Sequence, residues 1–581
     1  MASIDYIVIL LYFLGLIFIS WLMSKRITSS QDMFIAGRNS SWWLSGISTY
    51  MTIFSASTFV VWGGVAYRSG LVAVIVGNML GLASIVAGRW LSGKWRSLKL
   101  SSPGEFLTIR FGKKTVDFYT IAGIVGRSVH TAVALYAIAI VTKTLMPIPD
   151  DSYWSFLAGA DGHLSVWWGI LILGAICLFY TIAGGFPAVL MTDCIQFGVL
   201  IVVVIFMIPL SFHAIGGIDN FIHCASLPDG FFSPVSAEYS WEWMILWFFL
   251  NFFMIGGDWP YVQRYISVPT AKDARKSNYL VGVLYLITPL IWYIPAMVYR
   301  VINPEANPEQ AYILISQEVL MKGMLGVMLA AMLSATLSIV SGTLNVYANV
   351  FTYEIWGRSH KDSSEKQRIR VGRLFTLGFG LVIIALALLM PSIGGAEKVV
   401  VTILTLVICP LYIPSVWGLF SKSVTGKHVI IAMCITYALG FALKFPLAGL
   451  VSPQLLDAAI GLLIPVCIMT IIEIIEYRKK KVAAGFLALD NIRDEKADHE
   501  PDAHMRKAVK SYSFTAITCF CSTLLMIAAL LTMILFTESM TDGVRQIVWV
   551  SIVFLMLICI SYVVYRWIDS VRTQKEENGN Q

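Results

Sequence analysis

A chain of 581 residues that is 57% hydrophobic and 13% charged, with a mean hydropathy of +0.75, carries half the charge of a soluble globular protein, where about a quarter of residues are charged. The net charge of +7 is no nucleic-acid footprint, because the basic residues lie in loops between apolar stretches. Nine Cys without a CxxC pair, eight scattered His without HExxH, and no Walker A loop argue against a disulfide framework, a zinc site and an ATP-driven pump.

Hydropathy divides the chain into roughly fifteen spans of the length that crosses a bilayer. The first, 4–24, lacks a basic leader and is followed by Lys25-Arg26, which makes it a retained span with the N-terminus outside. The second, 43–67, is polar, with Ser45, Ser48, Thr49, Thr52, Ser55, Ser57 and Thr58 ahead of Gly63-Gly64. Spans follow at 70–92, 117–145, 165–183 and 187–212. The seventh, 241–260, ends in Gly256-Gly257-Asp258-Trp259-Pro260, and the eighth covers 277–300. The ninth, 320–352, contains Ser334, Thr336, Ser338, Ser341, Thr343 and Asn345. Hydroxyls and small residues at that density suit close helix packing or oxygen ligands for a hard monovalent cation. Polar and glycine-rich stretches predict interruptions in both 241–260 and 320–352. Spans at 371–391, 396–419, 427–449 and 456–476 complete a transmembrane bundle over 1–476. Residues 477–512 read as a charged cytoplasmic linker, partly without fixed structure. Residues 513–581 read as a hairpin of two spans, 514–537 and 546–567, with a short polar tail.

With the N-terminus outside, about 34 of the 42 Lys and Arg fall in loops on one side, as the positive-inside rule requires of the cytoplasmic face. The chain therefore reads as an integral protein of the cytoplasmic membrane with its C-terminus inside. The polar, glycine-broken spans 2 and 7 head two consecutive groups of five, 43–212 and 241–419. Broken spans at matching positions point to inverted repeats around a midplane site.

Several ordered motifs carry a family resemblance. They are Asp32-Met-Phe-Ile-Ala-Gly-Arg38 with Trp42-Trp43; Tyr180-Thr-Ile-Ala-Gly-Gly-Phe-Pro-Ala-Val-Leu-Met-Thr-Asp-Cys-Ile-Gln196; Gln263-Arg264-Tyr265 with Ala274-Arg-Lys-Ser277; and Gly418-Leu-Phe-Ser-Lys422. Over residues 1–450 the chain resembles the sodium:solute symporters. The resemblance implies an all-helical, leucine-transporter-like bundle of two inverted five-helix repeats, with extra N- and C-terminal helices. It also implies a sodium site made of the carbonyls of Met51, Phe54 and Ala335 and the hydroxyl of Ser338. The family's second hydroxyl falls on Ile339, which has no oxygen, and Thr52 is a neighbouring substitute. A possible second ion site falls on Asp193 and Ser341, with Gly342 at its other hydroxyl position. The solute pocket falls on Ser57, Thr58, Asn78, Asp258, Trp259, Thr402 and Thr405. Asp258 fits three roles: partner of a cationic solute group, proton site, or helix cap. Arg127 fits a backbone carbonyl or a carboxylate, and Arg300 an outer-interface anchor.

The function these features point to is secondary active transport: sodium-coupled symport of a small organic solute, such as a sugar or a monocarboxylate, by alternating access. It needs no enzyme chemistry and no cofactor beyond Na⁺ as coupling ion; its partners are the solute, Na⁺ and membrane lipid, and not nucleic acid. The alternatives are a membrane sensor on a transporter scaffold, a proton-coupled carrier and a channel. The topology makes a direct prediction. A cysteine introduced at Ser152 should react with an impermeant thiol reagent from outside, and one at Ala497 should react only after permeabilisation.

Overall fold

The computed structural model describes residues 3–393 apart from Ser57, then 404–444, 446, 453–493, 503–537, 541, 544–553 and 555–560. Ser57 and Thr402 lie outside the described residues, as does the side chain of Thr405.

Where described, the chain is helical; its β pairing consists of the isolated bridges Pro147–His163 and Ala158–Leu164 in one loop. The helices that position the site are, in chain order, α1 (Ser3–Ser24), α2 (Ser30–Ile35), α3 (Trp42–Ile53), α4 (Gly63–Ser69), α5 (Leu71–Ala87), α6 (Pro103–Phe111), α7 (Lys113–Leu145), α8 (Val166–Ala214), α9 (Trp241–Gly257) and α10 (Trp259–Ile266). They continue with α11 (Ala271–Ile302), α12 (Ala311–Val319), α13 (Met324–Val350), α14 (Glu365–Leu389), α15 (Cys409–Trp417), α16 (Gly426–Lys444), α17 (Ile464–Arg478), α18 (Ala484–Ile492) and α19 (Ala503–Thr537).

Among the described residues, 10 helices are long and apolar enough to cross a membrane, or 11 if the bent pair Trp42–Ile53 and Thr58–Ser69 counts as one span. The sequence-based count of fifteen divides them differently. The segments 165–183 and 187–212 form one 49-residue helix, α8, bent where Gly185 leaves helical geometry at φ 55° and ψ −156°. A side chain there would also press on the Met33 carbonyl, 2.8 Å from an added Cβ, so this position demands glycine. Trp241–Gly257, Leu406–Trp417 and Val544–Ile560 are apolar but shorter.

The interruption predicted in 320–352 is absent: α13 runs unbroken from Met324 to Val350. The hydroxyls that suggested a break satisfy themselves along the helix, Ser334 donating to the Ala330 carbonyl and Thr336 to that of Met332. Every residue in its most apolar window is buried, making α13 the central post, packed by α1, α3, α7, α8 and α14.

Two of the sequence motifs are scaffold. Ser29 and Asp32 form a capping box on α2, and Ala36, Gly37 and Arg38 then turn at positive φ. That turn aims Arg38 at the carbonyls of Lys99 (2.6 Å) and Leu100 (2.9 Å). Arg110 likewise collects the carbonyls of Gly418 (3.1 Å), Ser421 (2.8 Å) and Val424 (2.8 Å) that follow α15. Part of the expected linker is folded: α18 packs on α6, with the Ala483 N–H donating to the Lys422 carbonyl at 2.8 Å and Leu489 buried.

The N-terminal helix is fastened to the post by a carboxylate. Asp5 of α1 accepts hydrogen bonds from the N–H groups of Gly323 (2.7 Å) and Gly326 (2.8 Å), capping α13 from another helix. Asp5→Ala should destabilise the protein by about 1.5–3 kcal/mol in thermal or denaturant unfolding, while Asp5→Asn, which keeps an acceptor, should cost less.

Candidate functional site

Two helix breaks define the site, and they have the same geometry. α3 ends at Phe54, which is extended at φ −81° and ψ 131°, and α9 ends at Asp258, extended at φ −77° and ψ 131°. Each break leaves the last carbonyls of a helix without intrahelical donors. The first lies against the central post, with the Ala56 N–H donating to Thr336 Oγ1 at 3.3 Å. It is tightened by a small turn in which Thr58 N–H reaches the Ser55 carbonyl (2.9 Å) and Ser55 N–H reaches Thr58 Oγ1 (3.3 Å). The carbonyl-bearing stretch around Met51 and Phe54 is thereby brought to the stretch of α13 that carries Ala335 and Ser338.

Ser338 donates to Asp193 Oδ1 at 2.6 Å. The other carboxylate oxygen of Asp193 accepts a hydrogen bond from Ser48 and one from Arg264 Nη2 at 3.3 Å. Arg264 also donates through Nε to Ser48 Oγ (2.8 Å) and through Nη1 to the Pro260 carbonyl (2.9 Å). All four side chains are fully buried. The Ser338 hydroxyl thus commits its proton to Asp193. Ser341 donates to the Ser338 carbonyl at 3.1 Å. The missing hydroxyl at Gly342 leaves room for the guanidinium, whose Nη2 lies 3.6 Å from where a Cβ would sit. Ile339 is buried and Thr52 donates to the Ser48 carbonyl at 2.8 Å.

At the second break, Asp258 starts α10 with its backbone but not its side chain, which makes no capping hydrogen bond. The carboxylate instead forms a buried ion pair with Arg127 of α7, and the same Nη2 donates to Tyr412 Oη at 3.0 Å. Arg127 thus takes a carboxylate, not backbone carbonyls. Gly257 allows the break to press on α15: a Cβ there would lie 2.5 Å from the Tyr412 carbonyl. A small cavity of about 20 Å³, room for about one water, lies beside the pair, walled by Tyr119, Trp259, Tyr347, Tyr412 and Ser415. Trp259 packs on Tyr347 with ring centroids 5.3 Å apart.

Other sequence candidates go elsewhere. Asn78, in the amide orientation that satisfies both of its polar atoms, donates to the carbonyls of Tyr285 (3.1 Å) and Leu286 (3.2 Å) and so stitches α5 to α11. Thr58 serves the turn described above. Arg300 donates to the Pro304 carbonyl and stacks over Tyr67. Sequence reasoning missed the roles of Ser48 and Arg264. The signal was Asp193 itself, since a carboxylate within an apolar span demands a partner. Among the described residues no group of His, Cys, Asp and Glu could hold a multivalent metal.

Residues 33–436 match the model of the sodium:solute symporter family. The chain belongs to that family. The sodium/sialic acid symporter NanT of Aliivibrio fischeri is 26% identical over 402 residues, covering 66% of this chain and 75% of its own. The Bos taurus sodium/myo-inositol cotransporter 2 is 26% identical, covering 75% and 69%, and the Vibrio parahaemolyticus sodium/glucose cotransporter 25% identical, covering 72% and 80%. A solved outward-open, substrate-bound Na⁺-coupled sialic acid symporter shares the fold, with a TM-score of 0.69 at 22% identity over 82% of this chain and 98% of that one. The protein is thus an integral membrane symporter that couples solute transport to Na⁺.

The Arg127–Asp258 pair makes a quantitative prediction for this symporter. Removing one partner alone, as in Arg127→Met or Asp258→Leu, leaves a buried charge and should cost about 3–5 kcal/mol of stability. Replacing both together should restore folded protein in the membrane but not solute uptake, as read by size-exclusion profile and transport assay.

Proposed function

We propose that the symporter carries a small polyhydroxylated solute, a sugar or sugar acid, with one Na⁺ per cycle. The observation that carries this reading is the Arg127–Asp258–Tyr412 cluster at the rim of the cavity beside the second helix break. Such a cluster offers donors and an acceptor on rigid helices, which suits hydroxyls, and a guanidinium that can take up a solute carboxylate in bidentate fashion. The names of the sialic acid, inositol and glucose relatives lend support, since all three solutes are polyhydroxylated.

Na⁺ is assigned to the carbonyls of Met51, Phe54 and Ala335 and the hydroxyl of Ser338, with Ile339 leaving the shell one oxygen short. The second cationic position, at Asp193 and Ser341, is assigned to the guanidinium of Arg264 and not to another ion. Trp259 is assigned to the wall of the solute site, and Ser57, Thr58, Thr402 and Thr405 are further candidates for it. The matching backbone geometry of the two breaks supports inverted repeats over 43–212 and 241–419 within a bundle spanning 1–476. Fifteen crossings follow if α8 counts as two, the bent pair as one, and each of the three shorter helices as one. The 477–512 segment and the C-terminus are then cytoplasmic, the N-terminus is outside, and the last two helices form an appended hairpin. Na⁺ and solute binding from outside would together permit one group of helices to rock, drawing on about 2.3 kcal/mol per charge per 100 mV plus the concentration gradient.

The test is uptake into proteoliposomes of labelled sugars, inositol, sialic acid, monocarboxylates and amino acids, each under a Na⁺, Li⁺ or H⁺ gradient. A polyhydroxylated solute should accumulate under the Na⁺ gradient; accumulation confined to amino acids would refute the solute class. Ser338→Ala should raise the Na⁺ concentration for half-maximal uptake about tenfold, the equivalent of ~1.4 kcal/mol. Ile339→Ser should lower it. An unchanged Na⁺ dependence in both variants would remove Ser338 from the ion site.

A further inference from the structure

A second cavity, far more apolar than the solute site, lies between α1, the start of α8 and the 146–164 loop, with a volume of about 620 Å³. That is the size of a small-molecule site, not of a packing defect. Its walls are two facing helical stripes: Tyr6, Leu10, Phe13 and Ile17 on α1, and Gly169, Ile172 and Ile176 on α8. Their three- and four-residue spacing puts each stripe on one helix face. The floor is Leu333 of α13.

The polar groups in the lining are already satisfied. Thr142 donates back to the Ile138 carbonyl (2.7 Å), Tyr6 donates to the Pro147 carbonyl (3.2 Å), and Ser152 Oγ accepts from the Trp154 N–H (3.2 Å). Nothing in the lining calls for a polar ligand group. The mouth opens on the lipid-facing surface, where Leu10 is 59% exposed, Leu14 52% and Ile172 40%. Above it, Tyr153, Trp154, Phe156 and Trp168 form an exposed aromatic cluster, the mark of the membrane–water interface. Lys143, next to the lining residue Thr142, supplies a half-exposed ammonium at that level, paired with Asp161 at 2.7 Å.

We propose that this cavity is a binding site for one acyl chain of a bilayer phospholipid, its phosphate held near Lys143. At the depth of the mouth the surrounding medium is hydrocarbon, so a lateral apolar opening of this size takes a lipid chain in place of a void whose lining atoms would lose contacts. An acyl chain gains about 0.8 kcal/mol per CH₂ only when leaving water, so selectivity here comes from shape and from the headgroup cation and not from hydrophobic transfer. The site has a route to the transport machinery: Leu333 adjoins Ser334, whose hydroxyl hydrogen-bonds Tyr12 of α1, and Ser338 follows one turn later.

The experiment uses the full chain in nanodiscs doped with a phosphatidylglycerol that carries a diazirine in mid-chain. After illumination, labelled residues are mapped by peptide mass spectrometry. Labelling should concentrate on the α1 stripe and on residues 169–176, and excess unmodified phosphatidylglycerol should suppress it. Ile172→Trp at the mouth should reduce that labelling about tenfold, whereas Ile205→Trp, on an exposed stretch of α8 away from the cavity, should not. Labelling spread over exposed positions such as Ile205, Leu290 and Leu381 in proportion to their exposure would overturn the proposal. So would labelling of the two stripes that excess lipid fails to suppress.

Discussion

The carboxylate of Asp193, held in the dry interior, organises this symporter. An ionised group there costs several kcal/mol unless it is fully paired, and the chain pairs it from three directions: Ser48 on α3, Ser338 on α13 and Arg264 on α10. Four helices must therefore meet at one point. That requirement explains the hydroxyl of Ser338 on the central post and that of Ser48 on α3. It also orients Ser338, whose proton is committed to the carboxylate.

α10 joins this network to the Arg127–Asp258 pair. The helix is only eight residues long and all eight are buried. Its preceding residue, Asp258, binds Arg127 at the cavity, and Arg264 near its far end binds Asp193. A shift of α10 that loosens one pair strains the other, since neither charge has water to fall back on. Coupling between ion and solute is a difference in binding free energy, and a short rigid helix that carries one half of each ion pair is a physical means of transmitting it. The glycines at 256 and 257 let the helix end approach α15, where bulkier residues would hold the break apart.

Much of this was legible in the sequence, and the limits were physical. The two breaks were readable because hydroxyls, glycines and a proline are costly in a span that only faces lipid. Asp193 and Asp258 were readable as charges in the wrong solvent. Their partners were not, since Arg264 and Asp193 are 71 positions apart and hydropathy carries no pairing information. The polar, glycine-containing run of α13 suggested a break, but two of its hydroxyls bond back along the helix, which continues through them. Asn78 was assigned to the solute pocket because it falls where the family resemblance places a polar pocket residue on the third span, and a positional match does not separate a residue facing a cavity from one bonding a neighbouring helix. The C-terminal segment, too polar to suggest packing, contains a helix that docks through Leu489 and Phe486.

The residue-level assignment stands or falls on stoichiometry. With Arg264 supplying the charge at Asp193, one Na⁺ should accompany each solute. The direct measurement is the parallel flux of ²²Na⁺ and labelled solute into proteoliposomes clamped at zero potential. Equal molar fluxes are expected. Two Na⁺ per solute, or solute entry without Na⁺, would contradict the assignment of Arg264 and Ser338.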